Sequence, residues 1–373
     1  MTRTVRILMD YRPALRQRTG VGEYVHELAA ALARQLPAGD ELLLFSSSWR
    51  DRLEAGRVPG TRTVDRRIPV RVLNTAWHRF GWPRIEHVAG AVDIAHSMHP
   101  LLIPAAHAVQ IATVYDLDFL DHPERTRAEI RRDYPRLAPE HARRADAIVT
   151  ISAFTAGQIT ARLGVPADRV TVASPGAPAW KARARQEPQG PILFVGTLEP
   201  RKNVGTLLSA YARLRGMLPS APPLVLAGAS TPSAAAWLST AAAPPLAGHV
   251  RHLGYVPAAD RYALYASASM LVLPSYHEGF GLPALEAMTV GVPVVASDRG
   301  ALPEVTGGAA VLVDADDADA LAHAMRRYLS DPDAVAGAVG RGFERARAYS
   351  WDAAARVLRD LYQDALSRRR VTD

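Results

Sequence analysis

Cysteine is absent from the 373 residues, which excludes disulfides, thiolate catalysis and zinc sites built on Cys, and which fits a reducing compartment. No apolar run approaches the roughly 18 residues that a membrane span needs. The opening M-T-R-T-V-R-I-L-M places charges inside a short strand-like segment, where a signal peptide would carry an apolar stretch of roughly 7–15 residues. Cytoplasmic residence is the expectation, with any membrane contact peripheral and on the inner face. Lysine is nearly missing as well: of 44 basic residues only Lys181 and Lys202 are lysines. A chain that uses Arg almost everywhere and keeps Lys at one place can need a compact point charge there, which singles out Lys202.

What is present is a globular composition. Hydrophobic residues make up 48% and charged residues 22%, spread along the whole length, and at about 150 residues per domain the chain should form two or three domains. The net charge of +7 is uneven. Residues 1–185 hold 27 Lys plus Arg against 19 Asp plus Glu, and residues 186–373 hold 17 against 18. The excess lies in residues 50–84, with nine Arg against three acids, and residues 125–144, with seven against three. Such an excess suits nucleic acid, an anionic membrane or a phosphorylated substrate; the plainer reading is drift toward Arg. In the second segment Ile130, Tyr134 and Leu137 alternate with arginines as on a surface-binding helix, although Pro135 and Pro139 should break that helix.

Strand-like and helix-like patterns alternate in both halves. Residues 5–9, 41–45, 93–96, 109–114, 147–151 and 170–173 read as strands, with helices over 21–36 and 153–163. In the second half, strands are expected at 192–195, 224–227, 250–253, 270–273 and 293–296, with helices over 204–218, 258–267 and 283–290 and a helical tail from 318. Residues 231–247, rich in Ala and Pro, carry no clear pattern. The alternation predicts an α/β protein of two doubly wound, Rossmann-like parallel sheets facing a central cleft. The Pro- and Gly-rich stretch 176–190 divides it into domains 1–175 and 191–350, with 351–373 a last helix.

Two constellations stand where strands deliver the chain to helices. In Y-H-E-G-F-G-L-P-A-L-E, residues 276–286, Glu278 and Glu286 would be about 12 Å apart along one straight helix. Gly279 and Gly281 demand a loop, and Pro283 suits a helix start, so Glu278 belongs to the loop and Glu286 to the first turn. The amides of Gly279, Phe280, Gly281 and Leu282 would then form an anion-attracting nest. A solvated Glu followed by a helix-dipole Glu is the plainer alternative. In G-T-L-E-P-R-K-N, residues 196–203, Arg201 and Lys202 arrive just before a helix that Asn203 can cap, so two cations meet the sheet's carboxyl edge. Gly20 and Gly22 open the first helix and admit close backbone approach, but Val25 stands where a dinucleotide fingerprint needs its third glycine. Asp116-Leu117-Asp118 and Asp314-Ala315-Asp316 match Asp-x-Asp, a pattern that arises easily among 37 acids, and the histidines lack a ligand spacing. No metal is expected.

Together these segments resemble the retaining glycosyltransferases of family 4, which have the GT-B architecture. The resemblance covers nearly the whole chain: R-T-G-V-G-E-Y near the start, A-D-A-I-V-T-I-S-A-F at 145–154, G-T-L-E-P-R-K-N, H-L-G-Y-V-P at 252–257, L-P-S-Y-H-E-G-F-G-L-P-A-L-E-A-M at 273–288 and Y-S-W-D-A-A-A at 349–355. Its glutamate pair matches the family's E-x7-E motif. The resemblance implies a nucleotide-sugar donor on the second domain, a glycan or lipid-linked acceptor on the first, and a last helix that crosses back to the first domain. It implies no cofactor, no metal and no nucleic acid. By the same likeness Lys202 and Arg201 would hold the donor diphosphate, Glu278 the transferred sugar near its anomeric centre, and Glu286 the ribose. Gly20 and Gly22 would approach the donor, residues Gly279, Phe280, Gly281 and Leu282 would reach sugar hydroxyls and phosphate, and Tyr255 and Val256 would frame the base. On the acceptor side stand Tyr115 and Asp116, where many relatives have a His before the aspartate. Thr197 replaces an Arg that some relatives carry, which shifts the diphosphate onto Arg201 and Lys202. The G-T-L-E-P-R-K-N form is similar to mannosyl- and rhamnosyltransferases, so mannose from GDP-mannose, used in cell-envelope polysaccharide synthesis, is the first expectation. Two rivals stay open: a glycoside hydrolase working with Glu278 and Glu286, and a catalytically silent GT-B subunit that binds a partner enzyme.

Overall fold

The structure, a computed structural model, describes residues 4–15, 18, 20–126 and 128–372. Two compact units form, one from residues 1–176 together with 350–373, the other from residues 177–349. The first contains seven strands: β1 (Arg6–Asp10), β2 (Glu41–Ser47), β3 (Arg62–Arg66), β4 (Ile94–Ser97), β5 (Val109–Val114), β6 (Ala147–Thr150) and β7 (Val170–Val172), in the order β3-β2-β1-β4-β5-β6-β7. All pair in parallel. Parallel strands need crossovers that cover both faces, and the near-continuous burial of β1, β2, β4 and β6 follows from that cover. The strand order reverses between β1 and β4, which pair Ile7 with Ile94, so a crevice opens at their carboxyl ends.

The second unit repeats the plan with β8 (Ile192–Val195), β9 (Leu224–Ala227), β10 (Val250–Gly254), β11 (Met270–Leu273), β12 (Val294–Ser297) and β13 (Ala310–Val313), in the order β10-β9-β8-β11-β12-β13 and again all parallel. These are the two doubly wound sheets that the alternation predicts. Phe194, Leu207, Leu226 and Val272 are fully buried in one cluster that joins the sheet to the helix Val204–Met217; truncating Leu207 to Ala there costs about 2–5 kcal/mol. The reversal falls between β8 and β11, which pair Met270 with Ile192.

Several local expectations change. Two edge strands add to the expected ones: β3, whose R-T-V-D-R has one buried residue, Val64, and so shows no hydrophobic pattern, and β13, whose apolar A-V-L-V is only partly buried. The Ala- and Pro-rich stretch contains a helix, Ala235–Ala242. Pro135 and Pro139 do not break the helix Ala128–Arg144. Spaced four apart, their missing donors fall on one side, and burial of Leu137, Ala138 and Ala142 in a core cluster, with Tyr134 packed against it, holds the segment together. Its described apolar residues therefore serve the core, not a surface; the Ile130 side chain lies outside the described residues.

The last helix, Trp351–Thr372, belongs to the first unit. Asp352 accepts a hydrogen bond from Arg34 at 2.8 Å, and the Tyr362 hydroxyl meets His96 Nδ1 at 2.7 Å while His96 Nε2 lies 2.8 Å from Thr113 Oγ1. Burial pushes the His96 pKa down to about 3, so the ring is neutral.

Candidate active site

The carboxyl ends of β8 and β11 flank the switch point of the second sheet, and both loops that leave them carry charge inward. After β8 a short 3-10 turn, Pro200–Lys202, ends on Asn203, the only non-glycine residue with positive φ among the described residues, at 55°. Asn203 does not cap the following helix with its side chain, as its position suggests. Its amide instead donates to Pro274 O at 3.0 Å and to Ala315 O at 2.7 Å, tying the loop after β8 to those after β11 and β13. Tyr276 N–H donates to Arg201 O at 2.8 Å and joins the first two loops again.

This stapling brings Lys202 and Glu278 together. Lys202 Nζ lies 2.5 Å from Glu278 Oε1, and the two side chains are 8% and 7% exposed. Ser275 Oγ donates to the same carboxylate oxygen at 2.8 Å, and Arg201 Nη1 stands 3.6 Å from Oε2 while its Nε pairs with Glu199 at 2.6 Å. Burial alone would raise the Glu278 pKa; Lys202 and Arg201, with hydrogen bonds from Lys202 and Ser275, outweigh it and hold the carboxyl below its ordinary value. Burial lowers the Lys202 pKa, against the pull of Glu278. Gly300 completes the packing: a Cβ there would meet Glu278 O at 2.6 Å, and Ala301 N–H donates to that same carbonyl at 2.9 Å.

Gly281, at φ 104°, starts the helix Leu282–Val290 with Leu282 and Pro283 in its first turn. Glu286 stands one turn further in than its sequence context suggests, buried, with Arg261 Nη1 at 2.8 Å and the Tyr265 hydroxyl at 2.7 Å on its two oxygens. Sequence reasoning missed these two partners, although a spacing of four on the helix Ala258–Ala266 puts them on one face. It missed Ser275 too, for which no periodicity gives a signal. Phe280 is buried with its ring edge-on to Tyr349 at 5.3 Å, so its side chain anchors the loop while its backbone continues the glycine turn. Tyr255 and Val256 follow β10 and are partly buried.

The remaining expected residues lie in the first unit. Gly20 begins the helix Gly20–Ala33 and is exposed, whereas a Cβ on Gly22 would meet Pro13 O at 2.8 Å, so packing by itself requires a glycine there. Tyr115 follows β5, donates to Met98 O at 3.3 Å and stacks edge-on against Tyr24 at 5.6 Å. Asp116 Oδ1 accepts from Asp118 N–H at 3.2 Å. Asp314 is paired with Arg299 at 3.2 Å. Among the described residues no group of three or more His, Asp or Glu is placed to hold a metal ion.

Residues 18–179 match the family model described as Glycosyltransferase Family 4, and residues 179–344 match that described as Glycosyl transferases group 1. The O-antigen chain mannosyltransferase B of Escherichia coli is 35% identical over 377 residues, covering 93% of this chain and 97% of that protein. Among solved structures, sucrose-phosphate synthase from Thermosynechococcus elongatus superposes with a TM-score of 0.78 at 24% identity, covering 98% and 100% of the two chains. Anabaena Alr3699/HepE, solved in complex with UDP and glucose, gives 0.69 at 15% identity, covering 97% and 100%. Both likenesses are of fold.

Proposed function

Because the chain belongs to glycosyltransferase family 4, a family of GT-B enzymes, we propose that it transfers a hexose with retention of configuration from a nucleotide-sugar to a glycan or lipid-linked acceptor in cell-envelope polysaccharide synthesis. The observation that carries this reading is the buried Lys202–Glu278 pair with Arg201 beside it at the switch point of the second sheet. Two cations there have a use in neutralising a departing diphosphate, and the ionised Glu278 has a use in holding sugar hydroxyls and the positive charge that develops at the anomeric carbon. Glu286, fixed by Arg261 and Tyr265, receives the ribose hydroxyls, and Tyr255 and Val256 frame the base. Gly20 leaves the first helix's N-terminus open to close backbone approach, and Tyr115 and Asp116 serve the acceptor.

In the reaction the bond between the anomeric carbon and the phosphate oxygen breaks on one face. The acceptor oxygen bonds to that carbon on the same face, and its proton passes to the departing phosphate oxygen. Arg201 and Lys202 supply the charge that a metal ion would otherwise supply, so neither metal nor cofactor enters. The donor is mannose from GDP-mannose, in line with the mannosyltransferase named above.

A hydrolase is disfavoured by the same geometry, because Glu278 is held ionised beside Lys202 and Arg201 and cannot serve as the acid. A thermal-shift panel of GDP, UDP, ADP and dTDP tests the donor. A matching nucleotide at 100 times its dissociation constant stabilises by roughly 2.7 kcal/mol, and a shift with GDP alone is the expected result; a larger shift with another nucleotide replaces GDP-mannose.

A further inference from the structure

The helix Val70–Phe80 and the turn that follows it stand apart from the rest of the surface. Residues 66–84, R-R-I-P-V-R-V-L-N-T-A-W-H-R-F-G-W-P-R, contain five arginines and no acid. One side of the helix is fixed. Leu73 and Trp77 are buried, Trp77 Nε1 donates to Pro83 O at 2.9 Å, and Asn74 Oδ1 accepts from Arg12 Nη1 at 2.9 Å. The Arg12 guanidinium lies 5.1 Å from the Trp77 ring centre and pairs with the buried Asp10 at 2.6 Å. Three large apolar side chains stand in the open, Val72 on the helix at 59%, Phe80 at its last position at 74% and Trp82 in the turn beyond at 63% exposure, among the exposed Arg67, Arg71, Arg79 and Arg84. Trp49, 69% exposed, is next in sequence to Ser48, whose N–H donates to Arg66 O at 3.2 Å at the end of β3, four residues before this helix.

Single exposed apolar residues are ordinary. Their grouping on a short helix whose only charges are positive is not, and it matches what an interfacial helix offers a bilayer: aromatic and aliphatic side chains for the headgroup boundary, arginines for lipid phosphates. A nucleic acid would use the arginines and stack on the rings, but it leaves the aliphatic Val72 without a role. Among its described residues the other basic segment lacks this combination, because Tyr134 and Leu137 pack against the core.

We propose that the exposed residues of the helix Val70–Phe80, with Trp82 and Trp49, dock this protein on an anionic lipid surface. The helix is joined through Asn74 and Arg12 to Asp10, the last residue of β1 at the switch point of the first sheet. Docking therefore sets the carboxyl edge of that sheet beside the bilayer. This consequence, that the acceptor is a lipid-linked glycan, rests on the proposed transfer reaction; the docking itself does not.

The test is co-sedimentation of the full chain with vesicles of phosphatidylcholine mixed with phosphatidylglycerol, and with vesicles of phosphatidylcholine alone. The wild type should bind the anionic vesicles only, and less as salt shortens the screening length from about 30 Å at 0.01 M to about 8 Å at 0.15 M. Phe80→Ser/Trp82→Ser and Arg71→Gln/Arg79→Gln should each lose about tenfold or more of that binding, with unchanged unfolding midpoints, since all four side chains are exposed. Wild-type protein that fails to bind at low salt overturns the proposal. So do double variants that bind as the wild type does, or a DNA duplex that displaces the protein from vesicles through these same residues. Donor turnover on a soluble glycan acceptor, measured in the same preparations, should be equal in all variants. Vesicle binding without any turnover would overturn the transfer reaction and leave the docking surface standing.

Discussion

Lys202 and Glu278, 76 residues apart in the chain, meet at 2.5 Å with both side chains buried, and Ser275 shares the same carboxylate oxygen. A buried charge whose partner is removed keeps its desolvation cost, about 3–5 kcal/mol, whereas removing both charges together can be nearly neutral. Stability and turnover therefore separate at this pair. Lys202→Met and Glu278→Gln should each lower the unfolding midpoint, and the double variant should recover most of the loss. All three should lower turnover by at least about a hundredfold, roughly 2.7 kcal/mol in the barrier. Calorimetry and steady-state kinetics on the four proteins check this; a double variant that regains turnover along with stability would contradict the assigned roles.

Glu286 is placed for binding, not for the reacting centre. Glu286→Gln should raise the dissociation constant of the nucleoside diphosphate with a smaller effect on turnover. Tyr265→Phe, which removes one charge-assisted hydrogen bond worth about 1.5–3 kcal/mol, should weaken nucleotide binding in the same direction. Isothermal titration decides: unchanged affinity in both variants removes Glu286 from the ribose.

How much of this was legible in the sequence depended on whether a residue's partner was local. The strand, glycine turn and helix around Glu278 could be placed because buried β11 and Pro283 mark its two ends within a dozen or so residues. The partner of Glu286 could not, because Arg261 and Tyr265 arrive from a different helix and only the fold brings them close. The preference of helix starts for Asn predicts a cap at Asn203, but its left-handed backbone turns the amide toward two carbonyls of distant loops. Pro135 and Pro139 argued against a helix that tertiary burial sustains. The helix Val70–Phe80 has no clear apolar period in the sequence, because only Leu73 and Trp77 of its residues face the core.

Acid should weaken the first unit before it affects the pair at the active site. Burial pushes the pKa of His26, His78 and His141 down to about 4, and that of His96 to about 3, from 6.5. Each folded value is depressed, so the unfolded chain takes up the proton first. The stability is complete above 6.5 and is lost as pH falls toward the folded values. The fully buried His96 alone contributes a slope of up to about 1.4 kcal/mol per pH unit in that window. Urea unfolding at several pH values between 7 and 5 should show the decline, and His96→Gln should flatten it by about one proton; an identical slope in that variant would show that His96 does not titrate on unfolding.

Chelation should leave activity intact, since Arg201 and Lys202 flank the carboxylate where a diphosphate is to sit and Asp314 is already paired with Arg299. Turnover that vanishes with EDTA and returns with Mg²⁺ or Mn²⁺ would move the charge compensation to a bound cation.

Glycosyl transfer itself is tested most directly by following nucleoside diphosphate release and the product's anomeric configuration by NMR, with GDP-mannose as donor and a mannose-terminated glycan as acceptor. Release that depends on the acceptor, with an α-linked product from the α-linked donor, is the predicted result. Release at the same rate without acceptor, or a β-linked product, would contradict it.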